Sequence, residues 1–160
     1  MPAYDKPAPD RAEIDPVYYK KLTVWLCHAL QKENPDVFEH ISGLCIACMR
    51  DCLTIVDKEG EALRPLILWL DQRRTSVVRP DNKLLLLGAS LLGAGTLLRE
   101  ASQVGYTNYL MDYEKDLWEK ADKFVFLSGY LHRWLLGFFL DCTANQPGHV
   151  PFDSARQQWS

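Results

Sequence analysis

An α/β fold is what this sequence predicts, and three observations carry it. Residues 44–47 (LCIA) and 52–56 (CLTIV) are runs of β-forming residues on either side of a polar break, Met49-Arg50-Asp51. A further apolar run, residues 66–70, follows a Lys58-Glu59-Gly60 turn, so three strands succeed one another. On both sides of this block, apolar residues recur at helical rather than strand spacing. The chain has 160 residues, 48% of them apolar and 24% charged, which suits one hydrophobic core and not two.

Taken in order, residues 1–15 carry Pro2, Pro7 and Pro9 among charges and read as a flexible lead-in, with the domain spanning residues 16–160. Asp15 followed by Pro16 is a good helix entrance. Val17, Leu22, Val24, Leu26, Ala29 and Leu30 then mark an amphipathic helix that should stop near Asn34-Pro35. In the strand block, an Arg beside an Asp among apolar neighbours must either pair internally or face a cavity, because a buried unpaired charge is very costly. Arg50 and Asp51 can close a strand end as a salt bridge, or offer donors and an acceptor to a polyhydroxylated ligand.

After the third strand, Asp71 is placed to cap a helix opened by Gln72-Arg73-Arg74-Thr75 and ended by Arg79-Pro80. The apolar stretch from Leu84 carries Gly88, Gly93 and Gly95. It lacks both the Lys-Ser/Thr of a phosphate loop and the glycine order of a dinucleotide fold, so close helix packing is the reading. Residues 106–121 (YTNYLMDYEKDLWEKA) have helical spacing, with Leu110, Tyr113, Leu117 and Ala121 on one seam.

Charge and cysteine usage exclude several classes. A net charge of -3 and a pI near 5.8 argue against a nucleic-acid binder. No run of apolar residues is long enough to span a membrane, and the polar, proline-rich start is no secretory signal. Cys45, Cys48 and Cys52 form C-x2-C-x3-C, which invites a metal-binding reading; on strands, however, residues 45 and 48 point to opposite faces, so small buried cysteines are expected and no metal ligand is assigned. Five cysteines without a signal peptide fit a reducing cytosol. His28, His40, His132 and His149 show no metal-binding spacing, and no serine sits in a nucleophile elbow.

The run from Ile46 to Arg74 resembles the sugar-site segment of the FGGY carbohydrate kinases, the family of glycerol, xylulose and gluconate kinases. Asp57, Gly60, Leu63-Arg64-Pro65, Ile67, Trp69, Asp71 and Arg73 stand in the family's order and spacing. Cys48 or Met49 stands where the family has Gln, and Arg50-Asp51 matches the Arg-Glu that grips polyol hydroxyls in the glycerol-kinase branch and occupies the place of the Met-His-Gly of the xylulose branch. Weaker likenesses extend over Ala12-Glu13-Ile14-Asp15-Pro16, residues 106–131, Trp134-Leu135-Leu136-Gly137 and residues 141–153.

The resemblance implies an incomplete actin-like, ribonuclease-H-like ATPase domain, with a short mixed sheet between residues 44 and 70 and several covering helices. It implies a fragment of a cytoplasmic, ATP-dependent kinase for a sugar or polyol, carrying the substrate side and inactive alone. Arg50 would donate to substrate hydroxyls, Asp51 would accept from them, and Met49 would line the pocket. No catalytic residue is assigned. ATP and Mg2+ belong to the parent enzyme, and neither is expected on this fragment. The implied partners are the sugar and the rest of the kinase, with no nucleic acid and no membrane; an open sheet edge allows a homo-oligomer. A non-catalytic sugar-binding or protein-interaction module on the same scaffold is the alternative, and a metal-binding module built on the three cysteines is a further one.

Overall fold

Residues 4–76, 87–88, 90–93, 95–142, 152–153, 156 and 158–159 are described by the computed structural model of the protein. Its central sheet has the order β1-β3-β2-β4, built from Glu13–Ile14 (β1), Leu53–Val56 (β2), Leu66–Ile67 (β3) and Lys123–Phe126 (β4). All three pairings are antiparallel, and β2 meets β4 over four residues, from Leu53 opposite Phe126 to Val56 opposite Lys123. The turn at Lys58-Glu59-Gly60 reverses the chain after β2: Gly60 takes φ 88, and its N–H donates to the Asp57 carbonyl. A separate two-stranded piece pairs Phe152–Asp153 (β5) with Gln158–Trp159 (β6).

Alternation along the strands divides the core between the two sheet faces. Leu53, Ile55, Ile67 and Phe126 pack with Tyr106 and Leu110 of the helix Tyr106–Tyr113. On the other face, Cys52, Ile14, Leu66 and Leu68 pack with Leu127 and Leu131 of the helix Leu127–Leu136, while Val56 and Val125 meet Tyr130 of the same helix. Full burial stabilises each such side chain by roughly 1.5–3 kcal/mol relative to exposure. The helices in chain order are α1 (Val17–Glu33), α2 (Pro35–Phe38), α3 (Gly95–Val104), α4 (Tyr106–Tyr113), α5 (Lys115–Lys120) and α6 (Leu127–Leu136). Gly137, at φ 82, ends α6 in the left-handed conformation that glycine permits.

Four sequence expectations are corrected. Residues 44–47 belong to no strand, because no neighbouring strand meets their backbone among the described residues. The lead-in is partly structured: Glu13 and Ile14 form the edge strand β1, Asp5 and Glu13 exchange backbone hydrogen bonds, and Ala12 and Ile14 are buried. No helix opens at Asp71, since residues 71–76 are non-helical; residues 77–80, where that helix was to end, lie outside the described residues, as do residues 81–86 and 143–151. The helix over residues 106–121 is two helices, α4 and α5, broken at Glu114. Glu114 leaves helical geometry where its carboxylate turns to Arg64 and Arg73, and Tyr113 is exposed rather than on the core seam.

Close packing holds at Gly95, where an added Cβ would lie 2.6 Å from Ser90 Oγ, and not at Gly88 or Gly93, where an added Cβ would meet nothing within 4 Å.

Candidate functional site

The strand β3 is flanked by charge at both ends, with Arg64 before it and Asp71 and Arg73 after it. All three are buried, so their charges must be answered locally. Arg73, with no exposed side-chain surface, donates from Nε to Asp71 Oδ1 at 2.7 Å and from Nη2 to Asp71 Oδ2 at 2.8 Å. Its Nη2 and the Nη2 of Arg64 both donate to Glu13 Oε1 at 2.5 Å, which ties β1 to the chain around β3. Glu114 adds its carboxylate 2.8 Å from Arg64 Nε and 3.8 Å from Arg73 Nη1, as an ion pair without hydrogen-bond alignment. Burial works against the Arg73 charge, but the bonds from Asp71 and Glu13 outweigh it and hold the guanidinium above its ordinary value.

Asp71 therefore braces two segments in place of capping a helix. Its Oδ2 accepts from the Ala12 N–H at 2.8 Å and its Oδ1 from the Arg73 N–H at 3.0 Å, so it fixes both the lead-in and the loop after β3. Beside this frame opens a cavity of about 330 Å3, lined by Asp51, Trp69, Asp71, Gln72, Arg73, Arg74, Val104 and Tyr106. Its makeup is mixed: carboxylates and guanidinium groups to bind hydroxyls, and two aromatic rings against which the carbon face of a sugar can rest. Tyr106 donates from its hydroxyl to the Asp71 carbonyl at 3.3 Å. Burial pushes the Tyr106 phenol up, and the negative charges of Asp51 and Asp71 push it further, so it stays a neutral donor at this wall.

Asp51 enters the cavity from a strained turn. It has φ 59, the one non-glycine residue with positive φ among the described residues. A side chain in that region is costly for most residues, though Asp tolerates it better than most. Such strain is often stored at functional positions. The reversal through Arg50 and Asp51 sorts the three expected contacts. Asp51 lines the polar cavity, while Arg50 is exposed and does not line it. Met49 lines a separate apolar groove and not this cavity.

Sequence reasoning missed Glu13, Glu114 and Tyr106. They come from separate segments with no shared spacing, and only the buried Arg64 and Arg73 reveal why acids must converge there. The three cysteines of the C-x2-C-x3-C run sit at three depths: Cys45 is exposed, Cys48 half-buried and Cys52 fully buried. Burial, with help from Asp141, pushes the Cys48 thiol up to about 11, and burial raises the Cys52 thiol too. Both remain protonated at neutral pH, as thiols packed away from water do.

Comparison with known proteins adds an independent line. The model of the FGGY family of carbohydrate kinases, N-terminal domain, matches residues 3–160. A xylulose kinase of Staphylococcus xylosus is 25% identical over 150 residues, covering 93% of this chain and 30% of that protein. One from Klebsiella pneumoniae is 27% identical over 156 residues, covering 97% of this chain and 31% of that protein. The chain thus spans about a third of the length of the curated relatives it matches. The crystal structure of a xylulose kinase from Brucella ovis superposes with a TM-score of 0.76 at 24% identity, over 99% of this chain and 33% of that one. At that identity the likeness speaks for the fold, and it bears out the actin-like α/β class.

Proposed function

Because this chain belongs to the FGGY family of carbohydrate kinases, we propose that it forms the sugar-binding side of an ATP-dependent kinase acting on a sugar or polyol hydroxyl. The observation that carries this reading is the cavity in which Asp51, on its strained turn, meets Trp69 and Tyr106. Asp51 accepts hydrogen bonds from sugar hydroxyls, and Arg50, exposed beside it in the same turn, donates to them. Trp69 and Tyr106 supply the apolar walls. The relatives at hand are xylulose kinases, so xylulose is the first substrate to test.

In kinases of this kind, ATP with Mg2+ supplies the phosphoryl group. The lining of this cavity does not fit that pair. Arg73, the buried cation at the cavity, is engaged by Asp71 and Glu13, and the carboxylates of Asp51 and Asp71 beside it repel a triphosphate. No step of phosphoryl transfer is therefore assigned to these residues. ATP and Mg2+ belong to other parts of the parent enzyme, and this chain alone binds sugar without turning over ATP. That is also where the alternative, a sugar-binding module without catalysis, makes the same prediction for the chain in isolation.

The test is a thermal-unfolding scan with xylulose, xylitol, glycerol and gluconate in turn, on the intact chain and on Asp51→Ala. A sugar-specific rise in the transition that disappears in the variant supports the assignment. Equal shifts in both proteins, or none with any of the four, would overturn it.

A further inference from the structure

Residues 71–76, after β3, alternate in depth: Asp71, Arg73 and Thr75 are buried, while Gln72, Arg74 and Ser76 are exposed. The buried set holds the backbone. Arg73 N–H donates to Asp71 Oδ1 at 3.0 Å, Thr75 N–H donates to the Gln103 carbonyl at 3.0 Å, and the Thr75 hydroxyl donates to the Asp112 carboxylate. Gln72 N–H adds a bond to the Asp10 carbonyl at 2.8 Å. Arg74 is thus carried on a fixed stretch of chain, with an anchored residue on either side.

Arg74 lines the polar cavity, together with three other charged residues, Asp51, Asp71 and Arg73. Asp71 and Arg73 answer each other through two side-chain hydrogen bonds, and Glu13 engages Arg73 further. Arg74 differs from them. Among the described residues its guanidinium has no hydrogen bond, ion pair or ring contact, although it shares the cavity with Asp51. A guanidinium only donates hydrogen bonds, and a carboxylate only accepts them. The two groups therefore ask for different things of one ligand: hydroxyls for Asp51, and a group that only accepts for Arg74. A carboxylate is the strongest such group, because it takes two parallel N–H bonds with charge on both partners.

We propose that Arg74 is a specificity-determining residue of the sugar cavity, which favours a sugar acid over the neutral polyol of the same length. The inference rests on the sugar-site reading above and deepens it by naming the substrate class. A ketose, whose carbonyl accepts without charge, ranks between the two. One guanidinium beside Asp51 answers one negative charge, which fits a single carboxylate and not a triphosphate. Asp51 stands in the turn before β2 and Arg74 in the segment after β3, so each can be changed without the other.

Titration calorimetry of xylonate and xylitol, which share a carbon chain and differ at one end, decides the matter on the intact chain, Arg74→Met and Arg74→Glu. The intact chain should bind xylonate at least about tenfold more tightly than xylitol, the scale of one charged hydrogen bond. Arg74→Met should bind the two alike, and Arg74→Glu should prefer xylitol. Rising salt should weaken xylonate and leave xylitol unchanged. Arg74 is exposed and bonds to no described residue, so the unfolding midpoint of each variant should match that of the intact chain, and a lost preference is not a lost fold. An intact chain that binds xylitol as tightly as xylonate, or a preference that survives in Arg74→Met, overturns the inference and leaves the sugar site standing. Binding of neither ligand overturns both.

Discussion

Asp71→Ala tests the frame on which the cavity is built. The carboxylate accepts from the Ala12 and Arg73 N–H groups and from Nε and Nη2 of Arg73, so the substitution removes four hydrogen bonds at once. It also leaves the Arg73 guanidinium, which has no exposed side-chain surface, facing Glu13 and the more distant Glu114. Hydrogen bonds to charged groups contribute about 1.5–3 kcal/mol each, but they are not additive here. Breaking one side of a buried pair costs about 3–5 kcal/mol, and that sets the expectation. At roughly 2–4 °C per kcal/mol for a chain of this size, the transition should fall by about 6–20 °C.

Arg73→Met should cost a similar amount, because it strands Asp71 and half of Glu13. In the double variant the buried pair is replaced by apolar groups, so its cost should fall short of the sum of the singles by at least about 2 kcal/mol. Chemical denaturation of the four proteins supplies the cycle. A loss below about 1 kcal/mol for Asp71→Ala, or strict additivity, would refute the reasoning.

Two further expectations concern the rest of the chain. Gly60→Ala forces a side chain into φ 88 and brings its Cβ within 3.1 Å of Arg133 Nε, so a loss of about 1–2 kcal/mol is expected in denaturant titrations; an unchanged midpoint would contradict it. Alkali should destabilise the fold early. Burial raises the Cys48 thiol to about 11 from its usual 9 and the Tyr19 phenol to about 12 from 10, so the unfolded chain releases these protons first. Stability is then fully present below about pH 9 and is lost as the pH rises through the folded values. Cys48→Ala should flatten that decline between pH 9 and 11, and a decline unaltered by the variant would show that other groups drive it.

What was legible in the sequence follows the range of the interactions. The α1 boundaries, the Gly60 turn and the strand β2 are set by local patterns, and they were read correctly. Residues 44–47 have the composition of a strand, but a strand exists only with a ladder partner, and local composition cannot supply one. Asp71 looked like a helix cap because Ser, Asp and Asn residues do cap helices; its actual partners, Ala12 and Arg73, become visible only once β1 is placed beside β3. Glu114 split a helix that periodicity made continuous, since the pull of two buried arginines over about fifty residues has no periodic signature. At the cavity, the polar setting of Arg50 and Asp51 allowed a salt bridge or a ligand contact and only the family resemblance favoured the contact, whereas Tyr106 was read only as part of a helical seam.

Titration calorimetry of xylulose into the intact chain and into Asp51→Ala tests the central claim most directly. The intact chain should bind with one-site stoichiometry, and a hundredfold excess over the dissociation constant should add about 2.7 kcal/mol of stability in a parallel unfolding scan. Asp51→Ala should stay folded at a cost of about 1–2 kcal/mol for placing Ala at φ 59, and bind at least about tenfold more weakly. Xylulose binding that is equal in the two proteins, or absent from the intact chain while it folds cooperatively, would contradict the placement of the sugar against Asp51.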